Sequence, residues 1–171
     1  MKRLLLNTFI VCSLIILCCS CKINMTFNGA SIDYTKTHSI SISDFPNHAP
    51  LVNPTLSNNL TEGIRDIFTR QTRLTVQRQS GDLELEGEIV GYQLTPMAIS
   101  ADSYSAETKL TVTVKVVFTN NVNPEESFEK SYSAFQTFDS NLLLTDVQDE
   151  LCETIITEIA ENIYNDTVAK W

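Results

Sequence analysis

Histidine is scarce in this 171-residue chain: His38 and His48 are the whole supply, and neither stands at ligand spacing from a cysteine or carboxylate. No Gly-rich phosphate loop, no Gly-x-Ser-x-Gly elbow and no His-Glu-x-x-His occurs, so the common signatures of nucleotide binding, serine hydrolysis and zinc hydrolysis are missing. Basic residues are few. Twelve Lys and Arg against 21 Asp and Glu give a net charge of −9, which argues against general nucleic-acid binding, whose footprint is a basic face. No apolar run reaches the ~20 residues that a membrane-spanning helix needs. Aliphatic and β-branched side chains are nonetheless plentiful, with 43% hydrophobic residues overall, and this excludes wholesale disorder. The length suits one globular domain.

The N-terminus carries the first positive signal. Met1-Lys2-Arg3 is a basic start, Leu4 to Leu17 is an apolar run broken only by Asn7, Thr8 and Ser13, and Cys18-Cys19-Ser20-Cys21 follows. The run has the length of a signal-peptide hydrophobic region. A cysteine just beyond it, preceded by the small Ser20, resembles a bacterial lipoprotein signal in which Cys21 becomes the acylated first residue; Leu17 stands four residues before that cysteine, where three is usual. The expected organisation is a signal peptide over 1–20, a lipidated tether over 21–36 and one domain over 37–171. Losing Lys2 and Arg3 takes the net charge from −9 to −11. Of the five cysteines, Cys12, Cys18 and Cys19 leave with the signal and Cys21 takes lipid. Only Cys152 remains, so no internal disulfide can staple the domain. Its apolar helical surroundings mark it as a buried structural residue rather than a nucleophile.

Periodicity organises the rest. Ile40 and Ile42 alternate with Ser39, Ser41 and Ser43, a short strand. Asn53-Pro54 opens a helix, Asn as cap and Pro at the first position; Leu56, Leu60, Ile64, Ile67 and Phe68 give it one apolar stripe to about Gln71. Leu74 and Val76 begin a second strand, Ser80-Gly81-Asp82 reads as the turn of a hairpin, and Leu83, Leu85, Gly87 and Ile89 alternate with Glu84, Glu86 and Glu88. The phase then slips to Val90, Tyr92 and Leu94, which predicts a β-bulge. After a polar loop from Thr95 to Glu107, Leu110, Val112, Val114, Val116 and Phe118 form a strand with Thr111, Thr113 and Lys115 on its other face. Ser127 to Phe135 returns with Phe128, Tyr132 and Phe135 as its apolar positions. Thr145 and Gln148 have capping-box spacing at the head of a helix carrying Val147, Leu151, Ile155, Ile159 and Ile163. The order βαββββα packs most economically as an α+β two-layer sandwich, with both helices on one face of a mostly antiparallel sheet. The other face is left for solvent or a partner.

Glu84, Glu86 and Glu88 share a strand face at steps of about 6.6–6.8 Å. Paired-carboxylate catalysis needs an asymmetric environment that raises one pKa, and a row alternating with leucines reads instead as a solvated face. No catalytic residue, metal site or cofactor is expected.

Phe45-Pro46-Asn47-His48-Ala49-Pro50-Leu51-Val52-Asn53-Pro54-Thr55-Leu56-Ser57 resembles a signature of the LptE lipoproteins of Bacteroidetes-type bacteria. Gly81 to Ile89 with Gly91-Tyr92, the strand Leu110 to Asn120, Phe128-Glu129 and the terminal Lys170-Trp171 extend the resemblance over nearly the whole chain after the signal. It implies two helices against a sheet and a non-enzymatic, lipid-anchored protein on the periplasmic side of the outer membrane. It also implies a partner, an LptD-type β-barrel that the domain plugs and helps to assemble, and lipopolysaccharide as the cargo delivered to the outer leaflet. The alternative is a cell-envelope binding lipoprotein, an adhesin or glycan-binding module. An acidic run after the lipidated cysteine goes with surface export in this group, and Lys22-Ile23-Asn24-Met25 is not acidic, which favours periplasmic retention. No family motif transfers a lipopolysaccharide contact to a position here. From the strand pattern, Arg73 and Lys115 are expected on the face opposite the core, beside the hydroxyls of Thr75, Thr111 and Thr113, as a phosphate contact.

Overall fold

The computed structural model describes residues 32–51, 53–97 and 106–169. The expected signal peptide, Cys21, most of the tether and Lys170-Trp171 lie outside the described residues. The elements are β1 (Ser39–Ile42), α1 (Leu56–Gln71), β2 (Thr75–Gln77), β3 (Leu83–Pro96), β4 (Glu107–Asn120), β5 (Phe128–Asp139) and α2 (Leu144–Thr167), with a short 3₁₀ turn at Pro124–Glu126. Two helices cover one face of a five-stranded, mostly antiparallel sheet ordered β2-β1-β3-β4-β5, the expected α+β two-layer arrangement.

The hairpin expected at Ser80-Gly81-Asp82 does not form. β1 lies between β2 and β3 and runs parallel to both, pairing Ile40 with Val76 on one side and with Leu83 on the other. The unit β1-α1-β2 is therefore a strand-helix-strand crossover, and Arg78 to Asp82 carry the chain over β1 rather than back along β2. Gly81 serves that crossing: a Cβ there would stand 2.5 Å from the Ser41 nitrogen, so only glycine allows the two backbones so close. Ser80 beside it takes a left-handed φ of 56°. Asp82 then ties the crossing down, its carboxylate accepting the backbone N–H groups of His38 at 2.8 Å and Ser39 at 3.1 Å.

Beyond β1 the chain continues along β3 through hydrogen bonds from Ser43 N–H to the Leu85 carbonyl and from Ile89 N–H to the Pro46 carbonyl. Asn53 and Pro54 do not cap the helix as expected: the regular helix begins at Leu56 with Thr55 at the N-cap position and no side-chain cap bond, and Asn53 instead forms the turn ahead of it, its Oδ1 accepting the Thr55 N–H at 3.0 Å and its carbonyl the Leu56 N–H. Arg65 fastens α1 to the β1 exit, donating to the Ile42 carbonyl and to Asp44 and Glu62. Burial works against its charge, and the two carboxylates outweigh that cost and hold its pKa above the ordinary value.

The core is continuous from sheet to helices, with Ile40, Ile42, Leu85, Ile89, Val112, Val114 and Val116 against Leu60, Ile64, Ile155 and Ile159, all fully buried; Leu151 is half-buried against them. The expected bulge occurs, with the register shifting between Ile89 and Gly91. Its extra residue, Val90, is exposed, as is Leu94 near the strand end; of the three positions expected after the slip, only Tyr92 enters the core. Phe135 also departs from expectation. Tyr132 and Ala134 are buried, so alternation turns Phe135 to the other face, where it is 54% exposed. The capping box at Thr145 is absent. α2 starts at Leu144, which puts Thr145 inside the first turn, and no side chain caps the N-terminus.

Candidate interaction surface

The helix-free face of the sheet is built by alternation. Residues pointing away from the core are Glu84, Glu86 and Glu88 on β3, odd-numbered positions from Lys109 to Thr119 on β4, and odd-numbered positions from Glu129 to Thr137 on β5. Lys115 lies near its centre. It stands directly across from Glu88 in the β3–β4 register, and its Nζ is 2.7 Å from Glu129 Oε1. The bond to Glu129 is the main reason its pKa is raised. Glu88 is shared further, with its Oε2 2.7 Å from Nδ1 of His48. The carboxylate row is thus broken up: Glu88 lies between Lys115 and His48, and Glu86 points to solvent. Among the described residues no group of three His, Cys, Asp or Glu is placed to hold a metal ion.

Toward the other end of this face charge gives way to hydroxyls. Thr113 and Ser133 bond across the strands at 3.1 Å, and beyond them the Lys109 ammonium sits 5.2 Å from the centre of the Phe135 ring, a cation–π contact. Sequence reading missed Lys109 and misassigned Phe135. The signal was available, since Lys109 continues the odd-numbered series of Thr111, Thr113 and Lys115.

Arg73 and Lys115 are not brought together. Arg73 precedes β2 on an edge of the sheet, and β1 and β3 intervene before β4. Three strand spacings amount to about 14 Å and the register offset of eight residues adds roughly 26 Å along the strands.

The face is braced by a buried polar junction behind it. Asn53 Nδ2 lies 3.6 Å from Cys152 Sγ, and the Tyr92 hydroxyl is buried beside this pair without a well-formed hydrogen bond. Cys152 is buried and free, as expected. Burial raises its thiol pKa and that of the Tyr92 phenol, which leaves both protonated and unreactive at neutral pH. On the opposite side of the molecule, α1 and α2 border a groove of about 960 Å³ with Glu62, Asp66, Glu153 and Glu161 on its walls; the helices meet closely at its floor, where a Cβ on Gly63 would be 2.8 Å from Ile156. No described helix is long and apolar enough to cross a membrane.

Comparison with known proteins supplies what a surface of this kind does not. The chain is similar in fold to rare lipoprotein B from Shewanella oneidensis, at 13% identity over 74% of this chain and 89% of that one with a TM-score of 0.46. Comparable similarity is found to a minor lipoprotein from Acinetobacter baumannii, at 12% identity over 71% and 88% of the chains with a TM-score of 0.44. No curated protein sequence matches. The profile of the family described as LptE, lipopolysaccharide-assembly, matches residues 37–167, which takes in β1 to β5, α1 and α2. The chain therefore belongs to the LptE family, a non-catalytic lipoprotein family of lipopolysaccharide assembly in the Gram-negative envelope.

Proposed function

We propose that the domain is the lipoprotein partner of an LptD-type outer-membrane β-barrel, which it plugs and helps to assemble, and that through it lipopolysaccharide is delivered to the outer leaflet. The observation that carries this reading is the extent of the family match, which runs from Thr37 to Thr167. Attachment is to the periplasmic face of the outer membrane through acyl chains on Cys21, the cysteine that follows Ser20 just beyond the N-terminal apolar run. Purifying the tagged full-length protein in mild detergent tests the pairing. A large barrel present in stoichiometric amount is expected, and purification of the lipoprotein alone from cells that contain the barrel would overturn the reading.

Arg73 and Lys115 enter this proposal as two separate cations for lipopolysaccharide phosphate. Lys115 meets any anion with Glu129 already beside it, whereas Arg73 has no ion pair among the described residues. Arg73→Glu is accordingly expected to weaken lipopolysaccharide binding by the purified protein more than Lys115→Glu. Equal binding by both variants and the parent would remove these positions as the contact.

A further inference from the structure

A sheet that is not closed into a barrel has two edges, and the two edges here are unlike. β2 offers three residues. On the β1 side, β3 past its bulge continues alone for a few residues and ends at Pro96, a residue that blunts an edge because it cannot donate a ladder hydrogen bond. β5 offers its whole length from Phe128 to Asp139, with neither proline nor glycine. Among the described residues it pairs only with β4, and no hydrogen bond reaches the outer backbone of Phe128 to Phe138. Natural sheets guard such edges with outward lysines, prolines or bulges. The lysine available, Lys130, is turned aside: its ammonium is bound to Asp166 on α2 and lies 5.0 Å from the Tyr132 ring centre.

We propose that β5 is a docking edge that receives an extended, non-acidic segment of the partner barrel as a sixth strand; this rests on the barrel reading above. Three observations choose the occupant. α2 lies over β5 itself, burying Tyr132 and Ala134, so a second copy would bring its own α2 into the space above the joint. A single extended segment brings no such layer. The chain carries 21 acidic groups against 12 basic ones, and Glu158 is exposed on α2 without an ion pair among the described residues, which disfavours an acidic guest. On the helix-free side the edge shows Ser131, Ser133, Phe135 and Thr137, uncharged positions suited to the alternating side chains of a barrel strand.

The test uses the full-length protein in its own envelope. A photo-crosslinking benzophenone side chain is placed at Ser131 or Ser133 on β5, and at Asn58 on the exposed side of α1 as a control. Adducts with the barrel, identified by mass, are expected from the two β5 sites at a yield well above that from Asn58, which a plugged domain also brings near the barrel wall. Replacing Phe135 and Thr137 with lysine, the guard residue of natural edges, is expected to lower adduct yield from Ser133 about tenfold, the equivalent of losing a few cross-strand contacts. Thermal stability of that double variant, close to the parent's, separates a lost edge from a lost fold. A yield from Asn58 equal to or above that from Ser131 and Ser133, adducts of the protein with itself, or adducts internal to residues 22–31 would each overturn the proposal. Failure of the barrel to co-purify at all is a separate result, and it strikes the barrel reading instead.

Discussion

The ring of Phe45 rests on the bare Cα of Gly87. A Cβ on that glycine would stand 2.5 Å from the phenyl Cε1 and 2.4 Å from the carbonyl oxygen of Lys115. Phe45 is itself fully buried; its N–H donates to Thr61 Oγ1 at 3.1 Å and its carbonyl accepts from Ser57 Oγ at 2.6 Å. Gly87→Ala is therefore expected to cost about 1–3 kcal/mol through overpacking. Gly91→Ala, whose nearest contact would be the Thr113 side chain at 3.1 Å, is expected to cost less. Chemical denaturation of the two variants gives the comparison.

Truncation of the helical stripes should unfold the domain in proportion to burial. Leu60→Ala, Ile64→Ala and Ile155→Ala each remove a fully buried side chain and are expected to cost about 2–5 kcal/mol. Leu151→Ala removes a half-buried one and should fall below that range. An equal loss at all four positions would contradict the packing described.

The protein should lose stability at both ends of the pH scale, for opposite reasons. Burial raises the Cys152 thiol above its ordinary 9.0 and the Tyr92 and Tyr132 phenols above their ordinary 10.0. Above pH 9 the unfolded chain therefore releases protons that the folded chain retains, and stability falls as pH rises. Asp82, whose pKa is held below 3.8 chiefly by the His38 N–H, reverses the sign. Its contribution is complete above pH 3.8 and disappears as pH falls through its folded value. Denaturation midpoints across pH should form a plateau that declines on both sides. Cys152 should also resist alkylation at pH 8 until denaturant is added.

Cys21→Ala should leave the protein unprocessed or free of membrane, since each acyl methylene buried in the bilayer contributes ~0.8 kcal/mol. Mass spectrometry of the mature N-terminus decides this, and a first residue other than Cys21 would count against the anchor.

Much of this architecture was legible because period-2 and period-3.6 patterns are enforced by burial. The stripe Leu56 to Phe68 and the alternation Leu110 to Phe118 reach the structure as α1 and β4. Position within the sheet was harder to read. Gly81 looks the same in sequence whether it turns a hairpin or lets one backbone cross another, and only the pairing of β1 with both β2 and β3 distinguishes them. Phe135 was misplaced because an aromatic residue counts as apolar in a pattern, while its parity with Tyr132 puts it on the outer face. The surface shared by Lys115, Glu129, Glu88 and His48 depends on register between distant strands, which no local pattern encodes. Arg73 and Lys115 were grouped by face alone, without the strand order that separates them.

The place of β1 also sets a sequence of events. Hydrogen bonds link β3 to β4 and β4 to β5 between neighbours in the chain, and such local antiparallel pairs form early. β1 must instead wait for Leu83 to Leu85, more than 40 residues downstream of Ile40, and its parallel pairings close the longest loops of the sheet. The first strand of the domain is thus seated among the last. Until it arrives, Leu83 and Leu85 stand on an open edge, and the folding chain depends on rapid completion of β1-α1-β2 to avoid aggregation.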